Sequence, residues 1–287
     1  MLKNRVLDVL KDVEESLGRR GIEDSRLEGE IFLSNMLKCK RLDLYLNENK
    51  LNSRQISKVK DFLCCRSTRR PLQYIIKEAE FMGLKLYVSA GAFIPRPETE
   101  ILVEQAISAA KNIKARPLKI LDIGTGSGNI AIALTKYITS CKIIGLDISK
   151  KALSVAKKNA RHNGAGGLIK FIKSDLFESI EKLDIKFDII VSNPPYIPSG
   201  DMPALQTEVL SEPAQALDGG VDGLDYYRKI IAGAPLHLKS DGFLIMELGF
   251  GQSSEVSDLI KRSGFLRLNK IIKDYSGINR VIIARKR

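Results

Sequence analysis

Leu118-Lys119-Ile120-Leu121-Asp122-Ile123-Gly124-Thr125-Gly126-Ser127-Gly128 is the stretch that decides how the rest of the chain is read. An apolar run ends on an acid and passes at once into three closely spaced glycines. Apolar residues then recur at helical spacing from Ile130 to Tyr137. Glycines at such a place let the backbone turn tightly and approach a ligand closely. The same pattern repeats downstream. The apolar runs CKIIGLD, LIKFIK, FDIIVS, FLIMEL and RVIIAR alternate with helical stretches near 151–163, 224–238 and 253–263. This alternation predicts an α/β domain built on a mostly parallel, doubly wound sheet, with ligands bound beyond the carboxyl ends of its strands. Asp274-Tyr275-Ser276-Gly277 is too short a link for a crossover helix, so the two strands it joins are expected to pair antiparallel.

The glycine pattern departs from G-x-G-x-x-G, because Asn129 stands where the last glycine is required. That departure disfavours a pyrophosphate cradle. Asp122, just before the loop, would repel a phosphate and attract an amino group or a sulfonium. Asp147 ends the second strand, 23 positions past Gly124, where an acid takes ribose hydroxyls in such folds. Asp175 and Leu176 end the third, where a carboxylate or a backbone amide could read an adenine edge. One such aspartate alone is ordinarily a turn residue. Acids after three successive strands describe S-adenosyl-L-methionine better than NAD, with Gly124, Thr125, Gly126, Ser127 and Gly128 forming the loop beside it.

Asn193-Pro194-Pro195-Tyr196 follows the fourth strand of this sheet. A conjugated NH2 group is a poor nucleophile, so positioning and hydrogen bonding must do most of the work of activating it. Asn193 can offer a side-chain oxygen to one N–H and the Pro194 carbonyl can take the other. The prolines stiffen the loop, and Tyr196 supplies a flat face for stacking. Asn193, Pro194, Pro195 and Tyr196 are therefore the candidate catalytic residues, with Asn193 also bordering the cofactor. His162 and His237, the only histidines, lie in helical stretches and are expected at the surface.

At 287 residues, 44% hydrophobic and 28% charged, the chain has the balance of an ordinary globular protein. No apolar run is long enough to span a bilayer and the charged start lacks a signal peptide's apolar centre, so a cytoplasmic protein is expected. Cys39, Cys64, Cys65 and Cys141 lack metal-binding spacing and are expected to be reduced packing residues. The net charge of +12 makes an anionic partner plausible, but the basic excess is spread, 16 against 11 through Ile75 and 30 against 23 thereafter. From Leu2 to about Arg70 the apolar residues recur at helical spacing, with Ser25 and Glu28 as a candidate capping box and Ser53 as a later cap. Between Pro71 and Pro97 the pieces LQYII, EFMGLKLYV and AFIP read as short strands of a hairpin-like connector. Glu98 and Glu100 suit the first turn of the helix that follows.

The strings EFMGLKLYV, IPRPETEILVE, SNPPYIP, SEPAQALDGGVDGL and MELGFGQ resemble the release-factor glutamine methyltransferase family (PrmC/HemK), over essentially the whole chain. The resemblance implies a Rossmann-like class I methyltransferase sheet with an antiparallel C-terminal strand. Ahead of it would come a small all-α substrate-docking domain (1–72) and a β-hairpin connector (73–97), leaving 98–287 as the methyltransferase domain. It also implies methyl transfer from S-adenosyl-L-methionine to the side-chain amide of the glutamine in the Gly-Gly-Gln loop of class 1 peptide chain release factors. Gly124 to Gly128 and Asp147 would hold the methionine and ribose parts, Leu176 would border the adenine, and Asn193 to Tyr196 would bind the glutamine amide. No metal, membrane or nucleic acid is expected to take part, and the chain is expected to be a monomer. Two positions depart from the family's pattern: Arg70, before Pro71, and Lys77 each stand where a glycine is expected. A nucleic-acid amino-methyltransferase and a non-catalytic binding module are the competing readings. No inserted target-recognition domain interrupts the sheet to favour the first, and the intact glycine loop and NPPY argue against the second.

Overall fold

The computed structural model describes residues 4–46, 50–181 and 183–287; Leu2, where the first helical pattern begins, lies outside them. Two compact units result, one of residues 1–77 with 206–211, the other of 78–205 with 212–287.

The first unit is helical: α1 (Val6–Gly18), α2 (Ser25–Leu37), α3 (Asp43–Leu46), α4 (Ser53–Ser67) and α5 (Leu72–Ile76). Its core holds Val9, Val13, Leu17, Val59 and Phe62, as anticipated from the spacing, but in α2 it is Phe32 and Leu33 that are buried while Leu27 is exposed and Ile31, Met36 and Leu37 are only partly covered. Phe32 and Phe62 stack with ring centroids 4.0 Å apart. Two caps differ from expectation. Asn52, one residue before Ser53, closes a reciprocal capping box with Gln55. Ser25 caps nothing, because it is already the first helical residue and Asp24 holds the cap position; Glu28 instead bonds the buried Arg66, whose Nε and Nη2 donate to it at 2.7 and 3.0 Å. Arg66 Nη2 also donates to Glu208 in the returning segment 206–211.

LQYII is not a strand. It forms α5, burying Leu72 and Tyr74, and ends at Lys77, whose φ of 60° is left-handed. The glycine expected there from the resemblance would adopt that conformation without a Cβ penalty. The other departure sits one residue away from its strain, which falls on Arg69 (φ 62°) rather than Arg70.

In the second unit, β1 (Glu78–Phe81) and β2 (Leu84–Tyr87) form a hairpin turning through Met82 and Gly83, both at positive φ as a two-residue type I′ turn requires. AFIP is a loop. There follow α6 (Glu98–Lys111), β3 (Leu118–Ile123), α7 (Asn129–Tyr137), β4 (Cys141–Asp147), α8 (Lys150–His162), β5 (Ile169–Lys173) and β6 (Phe187–Ser192). The short α9 (Thr207–Leu210) lies in the segment that belongs to the helical unit. The chain then continues through α10 (Asp225–His237), β7 (Leu238–Glu247), α11 (Ser253–Arg262), β8 (Leu266–Lys273) and β9 (Asn279–Lys286).

The sheet has seven strands in the order β5-β4-β3-β6-β7-β9-β8, and β9 alone runs against its neighbours. Alternation along each strand divides the core. Leu118, Ile120, Ile189 and Val191 face α6, α7 and the hairpin. Leu121, Ile123, Ile190 and Leu244 face α10 and α11. Each fully buried Leu, Ile or Phe contributes roughly 1.5–3 kcal/mol. His237, expected at the surface, is buried and stacks on Phe177 at 4.8 Å. Cys141 packs in the core as expected, whereas Cys64 is exposed. No helix among the described residues is long and apolar enough to cross a membrane.

Lys77 is exposed, so its backbone strain is separable from packing. Lys77→Gly is expected to raise the unfolding free energy by about 1 kcal/mol in urea titrations, and Lys77→Ala to leave it unchanged.

Candidate active site

β3 lies between β4 and β6, and the β3–β4 and β5–β6 connections run in opposite directions across the sheet, so a crevice opens beyond the carboxyl ends of these strands. The cavity there is lined by Gly124, Gly126 and Ser127 after β3, Asp147 at the end of β4, Asp175 and Leu176 after β5, and Asn193 to Tyr196 after β6. Ten of the sequence-derived candidates thus meet in one place.

Asp122, Thr125 and Gly128 do not line it. The expectation that Asp122 offers its charge to a ligand is not met, because its carboxyl is fully buried beneath the loop. Thr125 Oγ1 donates to its Oδ2 at 2.6 Å, while Oδ1 has no hydrogen-bond partner among the described residues. Burial pushes its pKa up to about 7. It fastens the loop to the end of the strand. Gly128 is the left-handed N-cap of α7, where a Cβ would press on Ala156 and Ile132 at 3.2 Å.

Gly124 and Gly126 have φ of 70° and 55°, so the loop's path needs glycine for conformation. Each oxygen of Asp147 accepts one backbone N–H, from Gly126 and from Ser149, both at 2.8 Å. A carboxylate oxygen has room for a second donor, so Asp147 can still take a vicinal diol. Ser127 Oγ lines the cavity without a hydrogen-bond partner. Leu176 adopts φ 44°, a strained conformation of the kind found where a backbone is held against a ligand. Diol acceptors, an unsatisfied hydroxyl and an apolar wall suit a nucleoside carrying an amino-acid tail.

Asn193 is held from behind. Its Nδ2 donates to Thr99 Oγ1 at 3.2 Å, and Thr99 Oγ1 donates to Glu247 Oε2 at 2.7 Å. Tyr196 OH reaches the other oxygen of Glu247 at 3.4 Å. Among the described residues nothing donates to Asn193 Oδ1 or to the Pro194 carbonyl, which leaves two oxygens as acceptors. The backbone beyond them is clamped. Gln252 Nε2 donates to the Tyr196 carbonyl at 2.9 Å, and Ile197 exchanges bonds with Leu217 and Gly219. A Cβ on Gly219 would come within 2.8 Å of Tyr196 Cα, so the glycines of the 217–223 loop permit this close approach.

Sequence reasoning passed over four residues that build this site. Glu98 and Glu100 were read as dipole partners of α6, yet Thr99 between them contacts Asn193. Glu247 ends β7 almost completely buried. Glu212, also buried, accepts the Ile94 N–H at 2.8 Å and pairs with Arg96. Asn159 bonds the end of the hairpin and the glycine loop, through the Tyr87 N–H and carbonyl and, at 2.9 Å, the Ser127 carbonyl. For Thr99, Glu212 and Glu247 only the quoted strings around them carried a signal, and Asn159 lies in none of those strings.

Burial pushes Glu247 up to about 7 from an ordinary 4.5, against the lowering effects of Thr99 and of Arg280. The folded chain then holds a proton there that the unfolded chain has lost, so stability falls as pH rises from 4.5 toward 7. Glu247→Gln is expected to gain about 2 kcal/mol on wild type between pH 5.5 and 7.5 in urea unfolding. A gap that stays constant with pH would contradict the assignment.

Comparisons with known proteins agree with this geometry. Residues 114–263 match the family model described as a methyltransferase domain, and residues 8–76 match the PrmC N-terminal domain. The release factor glutamine methyltransferase of Geobacter sulfurreducens is 42% identical over 268 residues, covering 93% of this chain and 91% of that one. That of Fusobacterium nucleatum is 39% identical over 287 residues, covering 99% and 80%. A solved methyltransferase from Pyrococcus furiosus matches 71% of this chain and 89% of its own with a TM-score of 0.51 at 18% identity, a likeness of fold. The chain belongs to the release factor glutamine methyltransferase family.

Proposed function

We propose that this chain methylates the side-chain amide nitrogen of the glutamine in the Gly-Gly-Gln motif of class 1 peptide chain release factors, with S-adenosyl-L-methionine as donor. The observation that carries this reading is the pair of acceptors at Asn193 Oδ1 and Pro194 O, with the Asn193 amide anchored at its other end by Thr99. Two acceptors match the two N–H bonds of a primary carboxamide, and Tyr196 provides a ring against its plane.

When bound, the cofactor supplies a methyl group on a positively charged sulfur. Asp147 would take its ribose hydroxyls, Gly124 to Ser127 its amino-acid part, and Leu176 with Asp175 its base. Asn193 and Pro194 accept the two amide hydrogens, which raises electron density on the nitrogen and fixes its approach. The nitrogen becomes acidic only as the new carbon–nitrogen bond forms, so no general base has to act beforehand. We propose that the helical unit, residues 1–72 in functional terms, docks the release factor.

Two alternatives are distinguished by one experiment. Incubation with labelled cofactor and either a release factor or duplex DNA is expected to label only the glutamine of the release factor; label on adenine would favour nucleic acid as substrate, and no label a binding module. Asn193→Ala is expected to slow transfer by about 10²–10³-fold while cofactor affinity by calorimetry stays within about threefold. Unchanged turnover would remove the central assignment.

A further inference from the structure

We propose that Thr99 and Glu247 are positioning residues that dictate which end of the Asn193 amide faces the substrate. The inference rests on the glutamine-amide reading above and adds to it the device that makes Asn193 an acceptor.

An asparagine side chain is nearly symmetric in shape and opposite in chemistry at its two ends. Turned by 180°, it would present its NH2 to the NH2 of the substrate, two donors facing each other. Nothing in the shape of the pocket prevents this; hydrogen bonding has to. Thr99 Oγ1 has one proton, and that proton goes to Glu247 Oε2 at 2.7 Å. Toward Asn193, 3.2 Å away on the other side, the hydroxyl can then only accept. The end of Asn193 that meets it must be Nδ2, and the planar amide leaves Oδ1 for the cavity.

Polarity is thus relayed from a carboxyl through a hydroxyl to an amide, across three segments distant in the chain. Glu247 is a suitable origin because it lies almost wholly out of solvent and its Oε2 is an acceptor even if Oε1, with only a 3.4 Å contact to Tyr196, carries a proton. The other groups facing Glu247 leave that bond in place. Tyr227 OH from α10 donates to its backbone carbonyl at 2.9 Å. Arg280 from β9 attracts the carboxylate and is itself paired with Asp274 at 3.0 Å, while Glu98 at the start of α6 repels it. Thr99 is 1% exposed, so no water takes its place.

If Thr99 acts only through Asn193, its removal matters only while Asn193 is present. Single-turnover methyl transfer to a release factor is measured for wild type, Thr99→Val, Asn193→Ala and the double variant, with cofactor affinity by calorimetry. Thr99→Val is expected to be about 100-fold slower with cofactor affinity unchanged. The double variant is expected to be no slower than Asn193→Ala alone. Thr99→Ser, which restores the hydroxyl, is expected to return within about threefold of wild type. Thr99→Ala removes the hydroxyl with less bulk and is expected to match Thr99→Val, should the valine variant fold poorly. Wild-type rates in the variants lacking the hydroxyl, or a double variant slowed beyond Asn193→Ala by the full factor seen for Thr99→Val, would overturn the inference. A wild-type chain that leaves the glutamine unlabelled overturns the underlying reading and this inference with it.

Discussion

A parallel strand cannot return to its neighbour without a crossover, and this constraint governs the second unit. β3 has β4 on one side and β6 on the other, so the chain winds from β3 through β4 to β5 on one side and then crosses back to β6 on the other. The helices are sorted to the two faces of the sheet, and the loops after β3, β4, β5 and β6 are left without a helix above them. A site forms where loops converge over a rigid floor. The glycine loop and the Asn-Pro-Pro-Tyr loop sit side by side because their strands pair in register, Ile123 beside Ser192.

Buried carboxyls then fix the loops to that floor. Glu212 ties the 212–217 segment to the backbone of Ile94 and to Arg96, while Glu247 ties the N-terminus of α6 and Tyr196 to the end of β7. A buried carboxyl left without donors would be costly, so each is surrounded by them. Asp122 under the glycine loop is tied less fully, with Thr125 as the donor to one of its oxygens. These residues belong to the scaffold that holds reacting groups still, which is where low dielectric strengthens each bond.

Much of this was legible in the sequence. Strand alternation, the glycine loop and the antiparallel final pair were all recoverable because each depends on residues a few positions apart. LQYII failed because a short run of apolar, β-branched and aromatic residues fits strand or helix equally, and packing of Leu72 and Tyr74 decided it. Ser25 failed as a cap because the helix starts on it, one residue earlier than the pattern implied, and Glu28 bonds Arg66, 38 positions away. Asp122 was read as a ligand's partner since a sequence does not show which face of a strand end is sealed. Thr99 and Glu247 are 148 positions apart, and nothing local marks a threonine flanked by glutamates as part of an amide clamp.

The hairpin looks, from its position before α6, like a detachable bridge, yet it is built into the larger unit. Phe81, Leu84 and Leu86 are buried in the same cluster as α6 and α7, Tyr137 reaches the Met82 carbonyl at 2.9 Å, and Asn159 joins the Tyr87 backbone to the loop at Ser127. A chain trimmed back to Glu98 would strip three large apolar side chains from the flank of two helices and leave the cofactor loop without its brace. The larger unit therefore begins at Glu78, and the hairpin is part of its fold.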